Sequence, residues 1–180
     1  MKKIVLNLAV TLDGFIEGPN GEVDWCILED DMNFEGFLSD IDTIFYGRVS
    51  YDAWGNYLPA SDASADETAV WNRIHAKQKY VFSRQQREYP HATLISDNIV
   101  EKVTAIKQQA GKDIWLYGGA NLIKTFIQAG LIDVYKMYVH PVVLGAGKPL
   151  FEEVKERINL KLTGTRVFKS GVVELVYEPS

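Results

Sequence analysis

Cysteine is nearly absent from this chain of 180 residues, where Cys26 stands alone. One thiol closes no intrachain disulfide and builds no cysteine metal cluster, which fits a reducing compartment such as the cytoplasm. Histidine is almost as sparse. His75, His91 and His140 lack the spacing of a helical zinc pair, so no metal is expected. Basic residues are outnumbered, 19 Lys and Arg against 24 Asp and Glu, for a formal net charge of −5. That balance argues against generic binding to nucleic acid or an anionic membrane surface, and still allows a local basic pocket. No apolar run approaches the length of a membrane-spanning helix. Met1-Lys2-Lys3 imitates the start of a signal peptide. Asn7 interrupts the apolar stretch behind it and Asp13-Gly14 ends it, so Lys3 to Leu12 reads as a buried strand. Also missing are a glycine-lysine-serine phosphate loop, a serine nucleophile elbow, internal repeats and low-complexity tracts.

With 47% hydrophobic and 24% charged residues, the composition is that of a globular protein, and the length suits one domain over residues 1–180. The most informative stretch is Ile114-Trp115-Leu116-Tyr117-Gly118-Gly119-Ala120-Asn121-Leu122-Ile123. An apolar strand pattern meets two glycines and becomes a helical pattern, with Leu122, Ile123, Phe126 and Ile127 on one face and Gly130 as the stop. Adjacent glycines can serve only as a tight turn. They can also bring a ligand against the main chain, where the first helical N–H groups lack intrahelical partners and favour an anion.

The same grammar recurs. Asp42 to Tyr46 reads as a strand, and Gly47-Arg48-Val49-Ser50-Tyr51 as a turn into a helix, with Arg48 able to fork onto a phosphate. Lys79 to Phe82 is a strand ending at Ser83-Arg84, and Ala92 to Ile95 a strand ending at Ser96-Asp97. Helices are expected from Glu29-Asp30-Asp31 through Phe34, Phe37, Leu38 and Ile41, over Asp66 to Ala76, and over Asn98 to Ala110. Val134 to His140 alternates as a strand with an exposed face. A glycine loop and a short helical turn follow at 142–151, then a terminal strand pair at Leu160 to Thr163 and Val172 to Tyr177. Strands alternating with helices before an all-strand tail predict a three-layer α/β/α fold, its central sheet mostly parallel with an antiparallel C-terminal edge. Trp54, Tyr57 and Trp71 make one region unusually aromatic, as core or as a subunit contact, and a homodimer is expected. His140 reads as a hydrogen-bonded core residue that could still line a pocket.

In order and spacing, several short segments resemble the dihydrofolate reductase-like superfamily, in particular bacterial proteins similar to the C-terminal reductase domain of riboflavin biosynthesis. These are Leu8-Ala9-Val10 with Asp13-Gly14, Gly47 to Tyr51, Val81-Phe82-Ser83-Arg84, Tyr117 to Ala120, Leu131-Ile132-Asp133, and Pro141 with Leu144 to Gly147. The resemblance implies an NADPH-dependent reductase of a small heterocyclic, pteridine- or pyrimidine-like acceptor; the competing reading is a non-catalytic NADP(H)-binding sensor or assembly protein that keeps the groove without the catalytic site. By position it assigns Ala9 and Ile16 to the nicotinamide carboxamide, and Gly47, Arg48, Val49 and Ser50 to a phosphate-binding helix start. Ser83 and Arg84 fall to the adenosine 2′-phosphate and Ser96 to the adenine side. Gly118, Gly119, Ala120, Asn121 and Leu122 fall to the pyrophosphate. Asp31 stands where folate reductases keep their proton-handling carboxylate, with Asp30 as its rival. A partly desolvated setting is expected for it. The Leu-Pro-Trp segment that those enzymes carry ahead of that carboxylate is replaced here by Val23-Asp24-Trp25-Cys26, and no second phosphate cluster for a ribityl phosphate is evident.

Overall fold

The computed structural model describes residues 1–180, apart from the side chain of Asp30. Ten strands and five α-helices follow in chain order: β1 (Ile4–Thr11), β2 (Phe15–Glu17), α1 (Phe34–Asp40), β3 (Ile41–Gly47), α2 (Arg48–Ser50), α3 (Ala65–His75), β4 (Gln78–Phe82), β5 (Thr93–Ile95), α4 (Ile99–Lys107), β6 (Asp113–Gly118), α5 (Ala120–Gln128), β7 (Val134–His140), β8 (Lys148–Pro149), β9 (Leu160–Val167) and β10 (Val173–Pro179). A single π turn, Tyr51–Gly55, prolongs α2. The strands and helices fall into two compact units.

The first unit comprises residues 1–3 and 33–119. Its strands lie in the order β5, β4, β3, β6, and every pairing is parallel. Parallel strands need cover on both faces, and β3 shows it: Ile44, Phe45 and Tyr46 are fully buried in succession. Leu38 from α1 and Val103 from α4 are fully buried as well. The base of this sheet is tied by charge, because the Lys2 ammonium donates to Asp42 at 2.6 Å and to Thr43 Oγ1 at 3.0 Å. Burial alone would raise the Asp42 carboxyl, but hydrogen bonds from Lys2, Thr43 and the Lys112 amide bring it below the usual range.

Residues 4–32 and 120–180 form the second unit, with strands in the order β1, β7, β10, β9. β1 pairs parallel with β7, from Val5 opposite Val134 to Thr11 opposite His140. β10 then pairs antiparallel with β7, and β9 antiparallel with β10, giving the expected antiparallel C-terminal edge. α5 buries Leu122, Ile123, Phe126 and Ile127, each worth about 1.5–3 kcal/mol of apolar burial.

Three sequence expectations are corrected. Glu29-Asp30-Asp31 does not open α1. Residues 30–32 make one 3-10 turn, and Asn33, in the left-handed region, caps the helix by accepting from the Gly36 amide. Ile41 belongs to β3, and Ala110 lies beyond the end of α4. The stretch at 142–151 holds no helical turn. Lys148–Pro149 pairs instead with β2, a long-range contact that overrides local preference.

Candidate functional site

The four strands of the first unit are parallel, so their C-terminal ends share one edge, where open α/β sheets take ligands. β3 delivers Gly47, β4 leads into Ser83, β5 into Ser96, and β6 ends at Gly118 before Gly119. The Ser83 amide donates to the Ile95 carbonyl at 3.1 Å, which sets Ser83 beside the strand end leading to Ser96.

Two different constraints select the glycines. Gly118 has φ +115°, a conformation that side-chain-bearing residues rarely adopt, and its peptide bond to Gly119 is cis. Gly47 has φ −71°, open to any residue, so conformation does not explain it. Proximity does: a Cβ on Gly47 would lie 3.1 Å from the Gly119 nitrogen and 3.4 Å from the Gly118 oxygen. A Cβ on Gly119 would meet Ser50 Oγ at 3.1 Å, so a branched side chain there would disturb Ser50 first. The ends of β3 and β6 thus meet main chain to main chain. Gly47 stands at the N-cap of α2, which receives no side-chain hydrogen bond. Ala120, Asn121 and Leu122 follow Gly119 as the first turn of α5. Leu122 is buried and only its main chain can serve a ligand, whereas Asn121 is exposed.

The residue before Gly47 belongs to an aromatic cluster. Tyr46 is fully buried, 4.8 Å from Tyr117 and 5.8 Å from Tyr51 between ring centroids. Burial raises the phenols of Tyr46 and Tyr117 well above their ordinary range. The rim is basic. Arg48 is half-exposed, Arg84 exposed, and Arg87, which the sequence reading did not single out, pairs with Asp52 as Arg48 does. Glycine-lined strand ends, an uncapped helix start, the Ser50 and Ser83 hydroxyls and three arginines fit a phosphate-bearing ligand.

In the second unit Ala9, near the end of β1, and Ile16, in β2, are both half-buried. Asp13 fastens the turn between those strands. Its carboxylate accepts from Thr11 Oγ1 at 2.6 Å, from the Gly145 amide at 2.8 Å and from the Leu144 amide at 3.3 Å. Chiefly through Thr11, these bonds hold its carboxyl below the usual range. The matched segments Asp13-Gly14 and Leu144 to Gly147 are therefore partners.

A strap, residues 22–32, crosses the ends of β7, β10 and β9. Trp25 meets His140 edge to face at 5.3 Å. His140 is 2% exposed, with Nδ1 2.9 Å from the Tyr138 carbonyl and Nε2 3.3 Å from the Ile27 carbonyl. Glu29 accepts from the Ser170 amide at 3.2 Å and from its hydroxyl, at the turn between β9 and β10. Asp31 accepts from Arg166 of β9 at 3.3 Å. Both side chains of this pair are 48% exposed. The Asp30 side chain lies outside the described residues. Cys26 sits in the strap, its thiol pushed up to about 11 by burial and by Asp24. Among the described residues no helix is long and apolar enough to cross a membrane, and no three His, Cys, Asp or Glu side chains could hold a metal ion.

Comparison with known proteins agrees with this architecture. Residues 2–174 match the RibD C-terminal domain. The uncharacterized protein YyaP of Bacillus subtilis (strain 168) is 59% identical over 177 residues, covering 98% of this chain and 94% of its own. Among solved structures, a protein from Shewanella sp. PV-4 named for riboflavin biosynthesis superposes with a TM-score of 0.80 at 22% identity, over 100% of this chain and 99% of its own. Dihydrofolate reductase from Enterococcus faecalis, complexed with NADP(H), does so with a TM-score of 0.67 at 16% identity, over 99% and 96%. The fold is that of the dihydrofolate reductase-like α/β proteins, and the chain belongs to the family of the RibD C-terminal domain.

Proposed function

We propose that the protein is an NADPH-dependent reductase that delivers hydride to a small heterocyclic acceptor, pteridine- or pyrimidine-like. The observation that carries this reading is the close approach of Gly47 and Gly119 at strand ends, with Arg48 next to Gly47 in the chain, Arg84 just past β4, and Arg87 sharing Asp52 with Arg48. Gly47 to Ser50 would hold one phosphate at the start of α2, and Gly118 to Leu122 would hold the pyrophosphate through main-chain N–H groups. Ser83 and Arg84, together with the Arg48 guanidinium, would take the 2′-phosphate, with Ser96 beside the adenine, while Ala9 and Ile16 would hold the carboxamide. When bound, NADPH supplies the hydride. The protein's own tasks are orientation, exclusion of water and a proton, for which Asp31 is our candidate. We assign it to the cytoplasm as a single-domain homodimer. The half-exposed cluster of Trp54, Tyr57 and Trp71, with ring centroids 4.6–5.9 Å apart, supports that pairing.

The half-exposed, ion-paired setting of Asp31 also supports a second reading, a non-catalytic NADP(H)-binding sensor or assembly protein. Titration with NADPH and NADH tests what the two readings share. Charge-assisted contacts of about 1.5–3 kcal/mol each predict a preference for NADPH of roughly tenfold or more, and equal affinities would refute it. A panel of pterins, flavins and pyrimidine intermediates assayed for NADPH oxidation then separates them, because turnover with any acceptor eliminates the binding-only protein.

A further inference from the structure

Arg48 and Arg87 come from different parts of the first unit and meet on one carboxylate. Asp52, one helical turn beyond Arg48, accepts from Arg48 through Oδ2 at 3.2 Å. Its other oxygen accepts from Arg87, which lies 35 residues away in the loop after β4. That loop is fastened to the helix a second time, by the Tyr51 hydroxyl donating to the Pro90 carbonyl, and Asn56 Nδ2 donates to the same hydroxyl at 3.0 Å. Arg87 is held from another side too, its guanidinium carbon 4.6 Å above the Tyr89 ring. An i,i+4 ion pair on a helix would be ordinary. Here the second arginine arrives from a separate segment, and each carboxylate oxygen serves a different guanidinium.

We propose that Asp52 is an internal counter-anion that occupies the Arg48–Arg87 pair in the coenzyme-free protein and yields it to the 2′-phosphate of NADPH, so that it sets the strength of the coenzyme preference. This rests on the reductase reading above and adds Asp52 and Arg87 to it. The exchange is physically easy. All three side chains are 38–47% exposed, and exposed ion pairs of this kind are weak. A guanidinium carries five N–H donors, so each arginine can take a phosphate oxygen while swinging away from a single carboxylate contact. A phosphate monoester brings more acceptor oxygens and more negative charge than a carboxylate, and so outcompetes it. Asp52 stays on its helix after the exchange and repels the incoming phosphate. The arginines do not depend on it for position, since Arg87 rests on Tyr89 and Arg48 on α2. Charge therefore decides the sign, and removing it strengthens binding of the extra phosphate.

The test is Asp52→Asn in the full chain, titrated at about 0.15 M salt, where charges are screened beyond about 8 Å, with NADPH, with NADH and with adenosine 2′,5′-bisphosphate. This substitution keeps the shape and one acceptor while removing the charge. NADPH and the bisphosphate should bind roughly tenfold tighter, a change of about 1.4 kcal/mol, while NADH stays within about twofold. Arg87→Met should weaken NADPH and the bisphosphate by at least roughly tenfold and leave NADH alone. Unchanged or weaker NADPH binding in Asp52→Asn, or a parallel change for NADH, would overturn the role of Asp52. Failure of the unsubstituted protein to prefer NADPH would instead overturn the reductase reading beneath it.

Discussion

Where β3 and β6 end in the first unit the chain carries Gly47, Gly118 and Gly119. Where β1 and β7 end in the second it carries Thr11 and His140, 1% and 2% exposed. The first edge is made of main chain, brought so close that one Cβ would already crowd its neighbour. The second is made of side chains. Thr11 binds Asp13 and the Phe15 amide, while His140 and Ser170 hold a strap. A main-chain edge presents N–H groups to any phosphate and leaves little to vary. A side-chain edge under a strap can change its shape with each substitution in residues 22–32. In the proposed reductase the first edge would hold the coenzyme, and the second would be free to differ with the acceptor.

Substitutions on the two edges should therefore separate stability from phosphate binding, and the largest stability effect is expected at His140. His140→Ala removes a buried ring whose two nitrogens face the Tyr138 and Ile27 carbonyls. We expect a loss of about 3 kcal/mol, seen as a fall in melting temperature of roughly 2–4 °C per kcal/mol. Affinity for adenosine 2′,5′-bisphosphate, measured below the melt, should be unchanged. A matching loss of affinity would mean that the edges are not independent.

Gly47→Val is the reciprocal experiment. Its Cβ would sit 3.1 Å from the Gly119 nitrogen, and the three atoms nearest that Cβ are all main chain. Overpacking of this kind costs about 1–3 kcal/mol, less than the loss at His140, yet it closes the space in which the phosphates are proposed to lie. Binding of NADPH should fall below detection in a chain that still melts cooperatively. Retention of NADPH affinity would take the coenzyme away from this edge.

The two edges also differ in how far they could be read in advance. Gly47-Arg48 and Gly118-Gly119 were visible because strand, glycine and helix follow one another within a few residues. The strap was not, because its anchors join residues 113 to 141 positions apart: His140 to Ile27, Ser170 to Glu29, Arg166 to Asp31. Nothing local in Trp25 or Glu29 announces such partners. The acidic run before α1 misled for a related reason. Carboxylates there look like a first helical turn, but Asn33 takes the left-handed conformation more readily than most residues and claims the cap. Arg87 escaped notice because a lone arginine in a polar loop looks like a solvated charge until its partner on α2 is known.

The smallest stability effect is expected at Asp31, and that makes the position informative. Its ion pair with Arg166 is exposed on both sides, so breaking it should cost about 0.2–1 kcal/mol. A large fall in turnover in Asp31→Asn could not then be blamed on unfolding. Arg166→Met breaks the same pair from the other side and leaves the carboxylate in place. If Asp31 supplies the proton, Asp31→Asn should lower the catalytic rate roughly a hundredfold with NADPH affinity intact, while Arg166→Met stays within a few-fold of the unsubstituted protein. If the pair only anchors the strap across β9, both substitutions remove the same contact and should change the rate alike and slightly. Equal small effects would return Asp31 to the strap and move the search for the proton to water or to the acceptor itself.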